Sequence, residues 1–168
     1  SSRWHPKMAQ YIHSKRAGSH VIDLTKTVAC LEDALGFIEK TAAQGKQVMF
    51  VGTKRQAQDV VNKAAADTNM PFVSVRWVGG MLTNTTTMNA RMKHLKDLEQ
   101  KMDAGALDAK YNKLEVQRFQ EEIDRMNVVY GGVKFMANRP GALFIVDVPN
   151  EMNAIREARK LNIPIVAI

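Results

Sequence analysis

Apolar positions along the chain fall into two alternating periods. Val48-Met49-Phe50-Val51 is an unbroken apolar run of strand length, the pattern of a parallel strand buried on both faces. Phe72-Val73-Ser74-Val75, Leu143-Phe144-Ile145-Val146 and Ile163 to Ile168 read the same way, and residues 20–24, His-Val-Ile-Asp-Leu, read as a shorter strand. Between these runs the apolar residues recur at helical steps. Leu31, Leu35 and Ile38 share one face, with Gly45 expected just past that helix's end. Ala57, Val60, Val61 and Ala64 do the same within 54–67, and a further helix is predicted from about Glu151 to Leu161. Strands alternating with helices predict an α/β fold with a parallel sheet.

One long excursion breaks the alternation. From Thr86 to Tyr130 no strand pattern occurs. Met88, Met92, Leu95, Leu98 and Met102 form one narrow helical stripe, and Val116, Phe119, Ile123, Met126 and Tyr130 form another. Ala104-Gly105-Ala106-Leu107-Asp108 reads as the turn between them, and Asn112 with Glu115 has capping-box spacing. Two helices with narrow apolar seams predict an antiparallel coiled-coil helical hairpin projecting from the sheet. The expected domains are therefore 1–87 plus 131–168, the sheet with a basic N-terminal arm, and 88–130, the inserted hairpin.

Composition narrows the function. At 168 residues, 45% of them apolar, the chain holds a single core of ordinary composition. No apolar run approaches the ~20 residues that span a bilayer, and the polar, basic start is unlike a signal peptide. The lone Cys30 cannot form an internal disulfide and is expected to pack as a small hydrophobe in a reducing compartment. The net charge of +7 is unevenly spread: residues 1–20 hold four bases and no acid, whereas 88–130 hold eight of each. Arg3, Lys7, Lys15 and Arg16, interleaved with Trp4 and Tyr11, suit an arm that neutralises RNA phosphates and offers rings for base stacking. A merely solvated basic tail would have the same charge.

The most specific stretch is Arg76-Trp77-Val78-Gly79-Gly80-Met81-Leu82-Thr83-Asn84, between a strand and a long helix. Gly79 and Gly80 permit positive φ or close backbone approach, and Thr83 or Asn84 can cap the helix. A tight structural corner with Trp77 as a core plug explains all of this.

That stretch also resembles the signature of the S-two family of small-subunit ribosomal proteins. Four further blocks match in order: Arg3-Trp4-His5-Pro6-Lys7-Met8 with Tyr11-Ile12, where His5 replaces the family's Asn; Val21-Ile22-Asp23-Leu24-Thr25-Lys26-Thr27; Val48 to Ala57; and Pro140 to Asp147. The resemblance covers nearly the whole chain. It implies a flavodoxin-like (Rossmann-like) parallel five-stranded sheet in the order 2-1-3-4-5, with the coiled-coil protrusion of bacterial-type members. It implies no enzyme and no cofactor, but a structural constituent of the small ribosomal subunit, bacterial or organellar in type, cytoplasmic where the ribosome is. Its expected partners are small-subunit ribosomal RNA and neighbouring proteins, including the large messenger-binding protein numbered one, which it would help recruit on the solvent side between head and body. Family members also carry a further helical segment before this region and an Asp-Thr-Asn loop with a helix after it, so the chain reads as part of a longer protein. The RNA-binding residues expected are Arg3, Trp4, Lys7, Lys15, Arg16, Lys54, Arg55, Arg76, Thr83 and Asn84.

The alternative is a flavodoxin-like phosphate or nucleotide site at Gly52-Thr53-Lys54, where a loop leaves a buried strand and opens a helix. Neither phosphate-loop nor dinucleotide glycine spacing is present, however. His5, His13 and His20 are too widely spaced for the familiar zinc motifs. No Ser or Cys nucleophile has a base at credible spacing. Asp23 and Asp147, at strand ends, are expected to cap a helix or fix a loop.

Overall fold

The computed structural model describes residues 5–107, 109–136 and 138–168, so the expectations placed on Arg3, Trp4 and Asp108 lie outside the described residues. The chain divides into two units, one ending at Gly45 and the other Lys46–Ile168.

In the first unit a 3-10 turn, Pro6–Tyr11, begins at His5, whose Nδ1 accepts the Lys7 N–H at 3.2 Å. An Asn side chain would offer the same kind of acceptor, so His5 fills a capping role. Strands β1 (Ile12–Arg16) and β2 (Ser19–Ile22) pair antiparallel through Ala17 and Gly18, both at positive φ, the backbone of a tight hairpin turn. Asp23 then caps α1 (Leu24–Ala43), accepting the Thr25 N–H at 3.1 Å and the Thr25 hydroxyl at 2.6 Å. Gly45, at φ 70°, sits past the C-cap as expected. Leu24, Val28, Leu31 and Leu35 of α1 are exposed. So is Cys30, which corrects the expectation of a packed thiol: on this helix only Thr41 is buried.

The second unit carries a four-stranded parallel sheet in the order β4-β3-β5-β6. Its strands are β3 (Val48–Val51), β4 (Phe72–Val73), β5 (Ala142–Ile145) and β6 (Ile165–Ala167). Helix α2 (Gln58–Thr68) links β3 to β4, and α5 (Met152–Lys160) links β5 to β6. Among the described residues four strands, not five, form the sheet. The strand predicted at 20–24 is β2 of the hairpin, and β3 takes the interior place that the five-strand reading gave it. The reason is visible in the residues: β2 is polar at Ser19 and His20 and has no buried position, whereas three of β3's four residues are buried, as a strand covered on both faces requires. The run 72–75 pairs only through Val73, because Val75 is already exposed where the chain turns away.

The core gathers Met49, Val51, Val73, Leu143 and Ile145 from the sheet and Ala154 and Ala158 from α5. Trp77, Met81 and Leu82 enter from the segment after β4. The excursion follows as α3 (Thr85–Asp103) and α4 (Lys113–Tyr130). Asn112 and Glu115 form the capping box, with bonds of 2.9 and 3.0 Å. Met88 and Met92 of α3 belong to the sheet's core, while Leu95, Leu98 and Ile123 form a separate cluster flanked by Met102, Phe119 and Met126. Tyr130 packs against both clusters.

Candidate nucleic-acid interface

The Trp-Gly-Gly corner is organised by an acid from the far side of the sequence. Glu157, on α5, accepts the Trp77 indole N–H at 2.9 Å and the Gly80 N–H at 2.7 Å on one oxygen. Its other oxygen accepts the Leu82 and Thr83 N–H groups at 3.0 and 3.2 Å and the Thr83 hydroxyl at 3.2 Å. Burial works to raise the Glu157 carboxyl, but the Trp77 donor and the three backbone donors outweigh it and hold the group below its ordinary value. Gly80 is at φ 87°, the left-handed backbone that an L side chain resists. Gly79 needs no such freedom: a Cβ there would meet nothing within 4 Å. Asn84 caps α3 through the Thr87 N–H at 3.4 Å, whereas the Thr83 hydroxyl is turned to Glu157.

In an open α/β sheet the ligand crevice lies beyond the strand ends where the chain's direction of winding reverses, here between β3 and β5. A cleft lined by Lys54, Val61, Val146 and Asp147 lies open there, but the polar groups of the loop after β3 are engaged within the protein. A Cβ on Gly52 would stand 2.9 Å from Val61 Cγ2 and 3.3 Å from Val146 Cβ, so the glycine serves packing, not an approaching phosphate. The Thr53 N–H and hydroxyl both donate to buried Glu151 at 2.6 Å. Lys54 pairs with Asp147 at 2.7 Å, and Asp147 also receives the Asn150 amide at 3.0 Å, which fixes the loop as expected of that residue. The donors that a nucleotide phosphate would need are thus engaged by carboxylates.

The predicted contact residues therefore fall in several places. Lys7, Lys15 and Arg16 are exposed in the first unit. Lys54 and Arg55 are exposed after β3, with Lys54 in the ion pair just described. Arg76 is exposed and lines a cleft with Arg125 of α4. Thr83 and Asn84 spend their polar groups on the corner and the helix cap.

Sequence reading missed Glu157, Glu151 and a polar lock at the root of the helical pair. There Lys134 donates to both Glu99 oxygens, at 2.8 and 3.1 Å, and to Asn127 at 3.1 Å, while Asn127 donates to Glu99 at 2.7 Å. The Lys134 and Asn127 bonds hold the Glu99 carboxyl below its ordinary value against the opposing effect of burial. Gly132, two residues earlier than Lys134, was missed as well: a Cβ there would lie 2.3 Å from the Phe72 carbonyl oxygen, and its own carbonyl accepts the Phe72 N–H at 3.0 Å.

Against known proteins, the chain matches the pattern of the ribosomal protein S2 family over residues 1–168. It is 48% identical to the small ribosomal subunit protein uS2 of Chloroflexus aggregans over its full 168 residues, which cover 70% of that protein. The uS2 protein of a Roseiflexus species is 45% identical, with all of this chain and 64% of the relative covered. That of Prochlorococcus marinus is 45% identical over 166 residues, 99% of this chain and 69% of the relative. The chain thus spans about two thirds of the length of the relatives it matches. By that full-length match, the chain belongs to the ribosomal protein S2 family.

Proposed function

We propose that this chain is a structural constituent of the small ribosomal subunit that works by binding ribosomal RNA and neighbouring proteins, without turnover. The observation that carries the reading is the family match along every residue, with relatives named as small-subunit proteins at 45–48% identity. The loop after β3 supports it physically, since the Thr53 and Lys54 groups that would hold a phosphate are bonded to the protein's own Glu151 and Asp147.

The RNA would be held through phosphates and shape more than by a base code. Arg3, Lys7, Lys15 and Arg16 supply an arm of four bases without an acid; Trp4 adds a ring, and Arg55 and Arg76 add exposed cations from the sheet-bearing unit. In this reading 1–87 with 131–168 forms the RNA-facing body, and 88–130 is a two-helix coiled coil that reaches what the body cannot. Its further partner would be the large messenger-binding protein numbered one, on a ribosome of bacterial or organellar type. Filter binding of the full chain to naked small-subunit ribosomal RNA over a salt series tests the central step. Affinity should fall linearly on a log–log scale as salt rises. Affinity that ignores salt, or that is equal for large-subunit RNA, would contradict it.

A further inference from the structure

One cleft of the sheet-bearing unit is used by nothing described so far. Arg76 and Val78 of the corner form one wall, and Arg125, Met126 and Val129 of α4 form the other. Residues 125, 126 and 129 share one helical face, so the sequence step alone brings them to the same side. The cleft is open to solvent and holds about 420 Å³. Trp77 and Tyr130 also line it.

Bases outnumber acids in its lining, Arg76 and Arg125 against Glu122. Arg76 and Arg125 are exposed, come from separate chain segments, and make no side-chain hydrogen bond or ion pair with any other described residue. The acid at the rim, Glu122, is turned to His94 at 3.1 Å. Two guanidinium groups line one largely apolar cleft, and its acid, Glu122, has one oxygen on His94. Planar forks of N–H donors match phosphate oxygens, and unstacked RNA bases settle on apolar or aromatic surfaces.

We propose that this cleft takes one unstacked nucleotide of the ribosomal RNA, its phosphate between Arg76 and Arg125 and its base on Val78, Met126 and Val129. The inference rests on the RNA-binding reading above and names a place for it in the fold. An acidic protein segment would satisfy the arginines but would leave the apolar lining without a flat partner.

The test is filter binding of the full chain to a small-subunit ribosomal RNA transcript over a salt series, with thermal unfolding as the check of folding. Arg76→Gln with Arg125→Gln should weaken binding and flatten the log–log salt slope by about 0.7, the value for one single-strand phosphate. Arg76→Lys with Arg125→Lys should restore the slope but not the full affinity. Val129→Trp, which fills the cleft and leaves the charges, should weaken binding about 5- to 150-fold, the span for one lost base contact, at unchanged slope. If the cleft variants bind as the parent does while Lys7→Gln, Lys15→Gln and Arg16→Gln together flatten the slope, the cleft inference fails and the RNA reading stands. If no variant matters and the parent shows no salt dependence, the RNA reading fails first. Subunit incorporation lost at unchanged RNA affinity would assign the cleft to a protein and overturn the inference.

Discussion

Glu157 accepts the indole N–H of Trp77 at 2.9 Å, across 80 residues of sequence, and so ties the middle of α5 to the corner that precedes α3. The same carboxylate takes three backbone N–H groups of that corner. A corner with this many donors and one charged acceptor is set by the acid as much as by its glycines.

Glu157→Gln should destabilise the sheet-bearing unit by about 1–3 kcal/mol, because an amide presents N–H groups to donors that then lose their acceptor. The effect depends on pH with a definite sign. The Glu157 carboxyl is lower in the folded chain than its unfolded value of ~4.3. Its contribution is therefore complete above that value and is lost as pH falls through the lower folded value. Denaturant unfolding of parent and variant should differ most from neutral pH down to pH ~4.3 and converge below it. A difference that grows on acidification would refute the assignment.

Trp77→Ala should cost about 3–5 kcal/mol, since the ring is buried in the main core and its N–H is engaged. Intact thermal stability with lost RNA binding would mean that the ring is a stacking surface and not a plug.

Gly132→Ala should destabilise by roughly 1–3 kcal/mol, because its new Cβ meets the Phe72 carbonyl and not a side chain that can swing aside. Gly79→Ala, with open space around it, should be close to neutral and serves as the control. Equal melting points for the two variants would contradict this reading of the site.

Lys134 and Glu99 should be coupled. A double-mutant cycle with Lys134→Met and Glu99→Gln should give about 0.5–1.5 kcal/mol of interaction, because the pair is partly buried and shares Asn127. Additive single effects would show that the lock at the root of the helical pair contributes nothing.

These four relationships also mark what the sequence could and could not disclose. Local signals were legible: the apolar run 48–51, the Asn112–Glu115 box, the Asp23 cap and the positive φ of Gly45 and Gly80 each depend on a few neighbouring residues. The strand at 20–24 was misassigned because a short apolar run does not say which partner it pairs with, and here a two-residue turn supplied one closer by. Glu157 and Glu151 were invisible for a different reason. An acid within a helical pattern reads as a solvated position, and only the fold shows that its donors lie 74 to 98 residues away. Arg125 was hidden in the same way among the balanced charges of α4. Cys30 was misjudged because an apolar stripe on a helix predicts a face to be covered, not that it is covered.

The central claim is that the chain is a small-subunit component, and co-sedimentation tests it most directly. The full chain is mixed with small ribosomal subunits stripped of their own copy and spun through a gradient in moderate salt. It should travel with the small subunit at one copy each and leave large subunits unlabelled. A chain that stays at the top of the gradient, or that spreads equally over both subunits, would contradict the account.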